Sequence, residues 1–113
     1  MITLWHNSRC SKSRAALALL EGQDVQLRRY LEDAPSEAEL RAAHVLLGGP
    51  VIGMMRTGEA AFKAAGLAKN SPDDALFAAM ALHPILIERP LAMTARRAVI
   101  GRPPEAVLSL LEP

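Results

Sequence analysis

The first thirty residues constrain the fold most. A short apolar run, Ile2 to Trp5, suits a buried strand. Ala15, Ala16, Leu17, Ala18, Leu19 and Leu20 follow as strong helix formers, which predicts a helix from Ser11 to Glu21 closed by Gly22. VQLRRYL, with Val25, Leu27 and Tyr30, reads as a second strand. The result is a β-α-β unit, whose crossover is right-handed if the strands are parallel.

The middle of the chain reads as helical. Ser36 with Glu39 three residues later forms the pattern of a capping box, and Leu40, Ala43, Leu46 and Leu47 continue at helical spacing until Gly48-Gly49-Pro50. Met54-Met55-Arg56-Thr57 opens a second helical piece, with Glu59 to Ala65 helical up to Gly66. Ser71-Pro72-Asp73-Asp74 opens a third, with serine as cap and proline at the first helical position. It runs to about Leu82. Two short antiparallel strands are expected near 91–94 and 97–100, although Thr94-Ala95-Arg96-Arg97 lacks the glycine that a tight turn prefers. A last helix is expected over Pro104–Leu111, with Val107, Leu108, Leu110 and Leu111 on its apolar face.

The predicted fold class is therefore α/β and thioredoxin-like. A roughly four-stranded mixed sheet is flanked by helices, and a helical insert over about 36–82 separates the β-α-β and β-β-α halves. At 113 residues, half of them hydrophobic, the chain is read as one domain, 1–113. Basic and acidic side chains nearly balance, 13 against 12, which argues against nucleic acid or a membrane surface as partner. No apolar run approaches the ~18–20 residues of a membrane span, and the start lacks the pattern of a signal peptide. One cysteine forms no internal disulfide, so a cytoplasmic location is expected.

That cysteine, Cys10, sits in WHNSRCSKSR, where the first strand ends and the first helix begins. Free backbone N–H groups and about half a positive charge from the helix dipole favour a thiolate there. Arg9, Lys12 and Arg14 add positive charge, and His6 adds a proton or a hydrogen bond. The same N–H groups cradle an oxyanion. Most lone cysteines are small buried hydrophobes; the polar residues on both sides of Cys10 weigh against that reading. No His/Cys/Asp cluster has metal spacing, and Met54, Met55, Met80 and Met93 read as core filler.

Four ordered motifs carry a resemblance. HNSRCSKSR resembles the HNPxCxxSR segment of the glutaredoxin-coupled arsenate reductases, the ArsC family. Met54-Met55-Arg56-Thr57, the run from His83 to Pro90 (HPILIERP) and the run from Ile100 to Glu105 (IGRPPE) are similar to three further motifs of that family. The resemblance implies Cys10 as nucleophile, His6 as the residue setting its reactivity, and Ser13 and Arg14 in the substrate-binding segment. It implies Arg56, Arg89 and Arg102 as the three arginines that hold an oxyanion. It also implies a cis bond at Arg89–Pro90, no bound cofactor and no metal. The implied reaction reduces arsenate, or a similar oxyanion, to arsenite, with glutathione as co-substrate and glutaredoxin as partner. Arginine suits such a site because it stays charged and donates paired hydrogen bonds to oxyanions.

One position departs from the family: Ser8 stands where it carries proline. Serine leaves φ unfixed, so the loop is looser or Ser8 caps the helix. Two other readings of the fold follow. One is a glutathione-dependent thiol reductase with another substrate. The other is a transcription regulator of Spx type, though the Cys-x-x-Cys switch of many of those is absent because position 13 is serine.

Overall fold

The computed structural model describes residues 1–112. The described residues divide into two compact units, 1–33 with 89–112, and Ala34–Glu88.

The first unit holds the sheet. Strand β1 (Ile2–Trp5) leads through helix α1 (Ser11–Leu19) to β2 (Val25–Arg28). Strands β3 (Leu91–Met93) and β4 (Ala98–Ile100) follow after the insert. The strand order is β2-β1-β3-β4. β1 runs parallel to β2, with Ile2 opposite Val25 and Trp5 opposite Arg28. β3 is antiparallel to both β1 and β4. Alternation along β1 sends Ile2 and Leu4 into a core with Ala16 of α1, Leu20 just after that helix, Ala92 of β3, and Val107 and Leu110. This is the mixed, thioredoxin-like sheet expected from the chain's pattern.

In this unit two details differ from the expectation, and the expected hairpin turn has its own device. α1 ends at Leu19, two residues early, and Gly22 lies beyond it in the left-handed region at φ 86°. Pro104–Leu111 is a 3-10 helix, not an α-helix. Its three-residue period lines up Pro104, Val107 and Leu110, all buried, while Leu108 and Leu111 face out. The β3–β4 turn manages without glycine because the Thr94 hydroxyl accepts from the N–H groups of Arg96 and Arg97, at 3.2 and 3.4 Å.

The second unit is helical. α2 (Glu37–Leu47) starts with a complete capping box between Ser36 and Glu39. It packs on α4 (Asp73–Leu82), and α3 (Ala60–Ala64) lies between them in sequence. Arg41 of α2 pairs with Asp74 at 2.8 Å and lies over the Phe77 ring. Ser71 does not cap α4. Its hydroxyl accepts from the Ala68 N–H at 2.9 Å, and Pro72 takes the cap position instead of the first helical one. Met54-Met55-Arg56-Thr57 does not open a helix either. Val51–Met54 is a 3-10 turn, and Met55 bridges Ile87 in an extended pairing. The Arg56 N–H donates to the Leu86 carbonyl at 2.7 Å, so backbone pairing competes with helix at this point.

Candidate active site

Cys10 is the N-cap of α1, in extended conformation, so its sulfur stands at the head of the helix. The first amides of a helix have no partner within it and carry the positive end of its dipole. The chain turns tightly into this position: the Cys10 N–H donates to the Asn7 carbonyl at 3.0 Å. The Asn7 side-chain oxygen accepts from the Arg9 N–H at 3.0 Å. Arg14 reaches back from the helix, its Nη1 donating to the Ser8 carbonyl at 2.9 Å. Ser8 therefore contributes its carbonyl to the loop, and its side chain caps nothing.

Cys10 is only 8% exposed, but its surroundings are not purely apolar. Arg102 Nη2 lies 3.8 Å from the Cys10 Sγ. Arg102 is held in turn by its Nε, which donates to the Arg89 carbonyl at 2.9 Å. Arg89 is half-buried, with Nε and Nη1 shielded from solvent. Both arginines precede a cis proline, Pro90 and Pro103. Gly101 lies between β4 and Arg102, where a Cβ would stand 2.7 Å from Pro90 Cγ and 3.1 Å from Val107 Cγ1. Only glycine lets the two arginine-bearing segments approach this closely.

His6 and Ser13 are the buried polar residues of this unit. The Ser13 hydroxyl accepts from the Asn7 N–H at 3.0 Å and lies 2.8 Å from His6 Nδ1. Both contacts of the Ser13 hydroxyl are satisfied when it donates its proton to Nδ1, which puts the imidazole's own proton on Nε2. Burial lowers the His6 pKa below its ordinary 6.5, and the charges of Arg29 and Arg14 lower it further. His6 is thus held neutral. Ser13, expected at the substrate, has no exposed surface; its hydroxyl braces the loop from behind.

Arg56 belongs to the second unit. Its Nε pairs with Glu59 at 2.9 Å and its Nη1 with Glu88 at 3.6 Å. Among the described residues no group of three His, Cys, Asp or Glu side chains is placed to hold a metal ion. Among the described residues no helix is long and apolar enough to cross a membrane. A cavity of about 760 Å³ lies at the Ile2 end of the sheet, and none of Cys10, His6, Ser13, Arg14, Arg56, Arg89 and Arg102 lines it.

Two residues were missed in the sequence. Asn7 uses its N–H, carbonyl and side chain to shape the turn into Cys10. Arg29 acts on His6 from the end of β2. The parallel register held the signal for Arg29, because the residues after β1 and β2 emerge side by side: the His6 N–H donates to the Arg28 carbonyl at 2.9 Å.

The chain matches the model of the ArsC family over residues 5–110. It is 41% identical to an arsenate reductase of Neisseria meningitidis over 97% of each chain. It is also 41% identical to an arsenate reductase of Haemophilus influenzae, over 97% of this chain and 98% of that one. The solved arsenate reductase of Vibrio cholerae superposes with a TM-score of 0.92 at 47% identity, covering 96% of each chain.

Proposed function

This chain belongs to the ArsC family, and from that membership we propose that it reduces arsenate to arsenite through Cys10, with glutathione as co-substrate and glutaredoxin as the partner that restores the thiol. The observation that carries the reading is the Arg102 guanidinium 3.8 Å from the Cys10 sulfur at the head of α1. A cation and a helix N-terminus converge on one sulfur, and both attract an oxyanion to its side.

Arsenate binds at the helix head, with Arg102 and Arg89 neutralising its charge and Arg56 as the third arginine. The Cys10 thiolate attacks arsenic(V), forming an S–As bond, and an oxygen leaves as water after protonation. The glutathione thiolate then attacks the Cys10 sulfur. The S–As bond breaks with its electron pair staying on arsenic, which leaves as arsenite. Two sulfurs are oxidised to a Cys10–glutathione disulfide while arsenic(V) becomes arsenic(III). A glutaredoxin thiolate attacks the glutathione sulfur of that disulfide and releases Cys10 as thiolate. Cys10 is the one cysteine in the 113 residues, so electrons come from an outside thiol.

His6 and Ser13 act through the loop. His6 stays neutral, and the Ser13 hydroxyl fixes both the ring and the Asn7 N–H, which keeps Cys10 at the helix head. The Arg89–Pro90 and Gly101–Arg102 segments hold the arginines in register. We place this chemistry in the cytoplasm, where glutathione keeps thiols reduced.

The test is arsenite formation with glutathione and glutaredoxin. Cys10→Ser is expected to abolish it. Arg102→Ala, Arg89→Ala and Arg56→Ala are each expected to reduce kcat/KM for arsenate. Turnover that survives Cys10→Ser at the wild-type rate removes Cys10 from the mechanism.

A further inference from the structure

We propose that the cleft between the Cys10 loop and the segment after β2 receives a carboxylate-bearing end of the peptide thiol that reduces Cys10; this deepens, and rests on, the function proposed above. The cleft encloses about 260 Å³. His6, Asn7 and Arg9 line one side of it, and Arg29 and Glu32 the other.

Both walls are built features. The Arg9 N–H is fixed by the Asn7 side chain at 3.0 Å. Across the cleft, the N–H groups of Glu32 and Asp33 donate to the Arg29 carbonyl at 3.0 and 2.9 Å and curl the chain after β2. The walls are tied together at their base by the His6 N–H to the Arg28 carbonyl.

The charges at the cleft select a ligand. Arg28 is occupied by Asp33, its Nε donating to the Asp33 carbonyl at 3.1 Å and standing 3.4 Å from the carboxylate. Among the described residues, the guanidinium groups of Arg9 and Arg29 have no hydrogen-bond or ion-pair partner. Two cations and the Glu32 carboxylate at one cleft suit a molecule carrying carboxylates and an ammonium group. A simple oxyanion such as arsenate has no use for Glu32, which would repel it. Paired hydrogen bonds from guanidinium to carboxylate supply both affinity and orientation.

Size and position fit the same ligand. Sites that enclose a whole drug-sized molecule run from roughly 300 Å³ upwards. This cleft suits one end of a tripeptide, with the remainder lying across the loop. Arg9 is the residue next to Cys10, and adjacent Cα atoms are about 3.8 Å apart. The Arg9 wall of the cleft therefore adjoins the backbone of the residue that carries the reacting sulfur.

The experiment has two arms. In the first, S-methylglutathione, which has no free thiol, is titrated into isotopically labelled protein. The amide signals of Asn7, Arg9, Arg29 and Glu32 are expected to shift, and the shifts to be lost in Arg29→Glu. In the second, kcat/KM for glutathione and for 2-mercaptoethanol, a thiol with no carboxylate, are compared during arsenate turnover. Arg29→Glu and Arg9→Glu are each expected to lower the ratio of the two by about tenfold or more. Damage transmitted through His6 or the loop would lower both thiols alike and leave the ratio unchanged. No shifts at these amides, or an unchanged ratio in both variants, overturns the proposal. If the wild type reduces no arsenate with either thiol, the proposed function fails, while the titration still decides whether the cleft binds the peptide.

Discussion

Replacing Ser13 with alanine removes one oxygen that serves two partners. The Ser13 side chain has no exposed surface, so water does not take its place without a rearrangement. His6 Nδ1, 2.8 Å away in a residue 5% exposed, loses its partner. The Asn7 N–H, 3.0 Å away in a half-buried residue, loses its acceptor. Each fully buried group left unsatisfied costs about 1–3 kcal/mol, and partial exposure of Asn7 reduces its share. The sum is about 2–4 kcal/mol, which for a domain of this size lowers Tm by roughly 8–17 °C. Urea unfolding of wild type and Ser13→Ala measures the loss as a shift in midpoint at constant m-value. A second readout is the imidazole titration of His6 by NMR. With the brace removed and water admitted, His6 is expected to titrate closer to its ordinary value. A variant within about 0.5 kcal/mol of wild type, with an unchanged His6 titration, would refute the claim that Ser13 braces this loop.

The other predictions test separate links. His6 has a folded pKa below the 6.5 of the unfolded chain, so the unfolded state binds more protons at mildly acidic pH. Its contribution to stability is complete above about pH 6.5 and is lost as pH falls through the folded value; His6→Gln should flatten that part of the profile. Gly101→Ala drives a methyl to 2.7 Å from Pro90 and 3.1 Å from Val107, and is expected to cost about 1–3 kcal/mol in chemical denaturation. Arg102→Lys keeps the charge but loses the planar fork, and is expected to lower kcat/KM for arsenate about 10- to 100-fold with little change in Tm. Arg56→Ala breaks two partly exposed ion pairs, which costs less than about 1 kcal/mol of stability, yet it should lower kcat/KM for arsenate by at least about tenfold.

Much of the architecture was legible because local signals and packing agree. The Ile2–Trp5 run, the alanine-leucine helix after Cys10 and the Ser36–Glu39 cap each specify one element without help from the rest of the chain. Legibility failed where tertiary pairing overrode local preference. Met55 is drawn into an extended bridge with Ile87, which leaves Arg56 outside any helix. Pro104–Leu111 has helix formers, but the three-residue spacing of Pro104, Val107 and Leu110 suits the tighter 3-10 pitch against the core. Around the site, the thiol's position at the head of α1 was readable from the strand-to-helix junction. The inward turn of Ser13 was not, because it depends on a hydrogen bond to a residue of the preceding strand's end. Nor was Arg29, which reaches the site only through the parallel register of β1 and β2.

The most direct test of a Cys10-centred reaction is the intact mass of the protein after incubation with arsenate and glutathione, without glutaredoxin. The account expects one glutathione bound through a reducible disulfide at Cys10, formed only when arsenate is present, with one arsenite released per adduct. Arsenite released at the wild-type rate by Cys10→Ser, or by protein that carries no adduct, would contradict it.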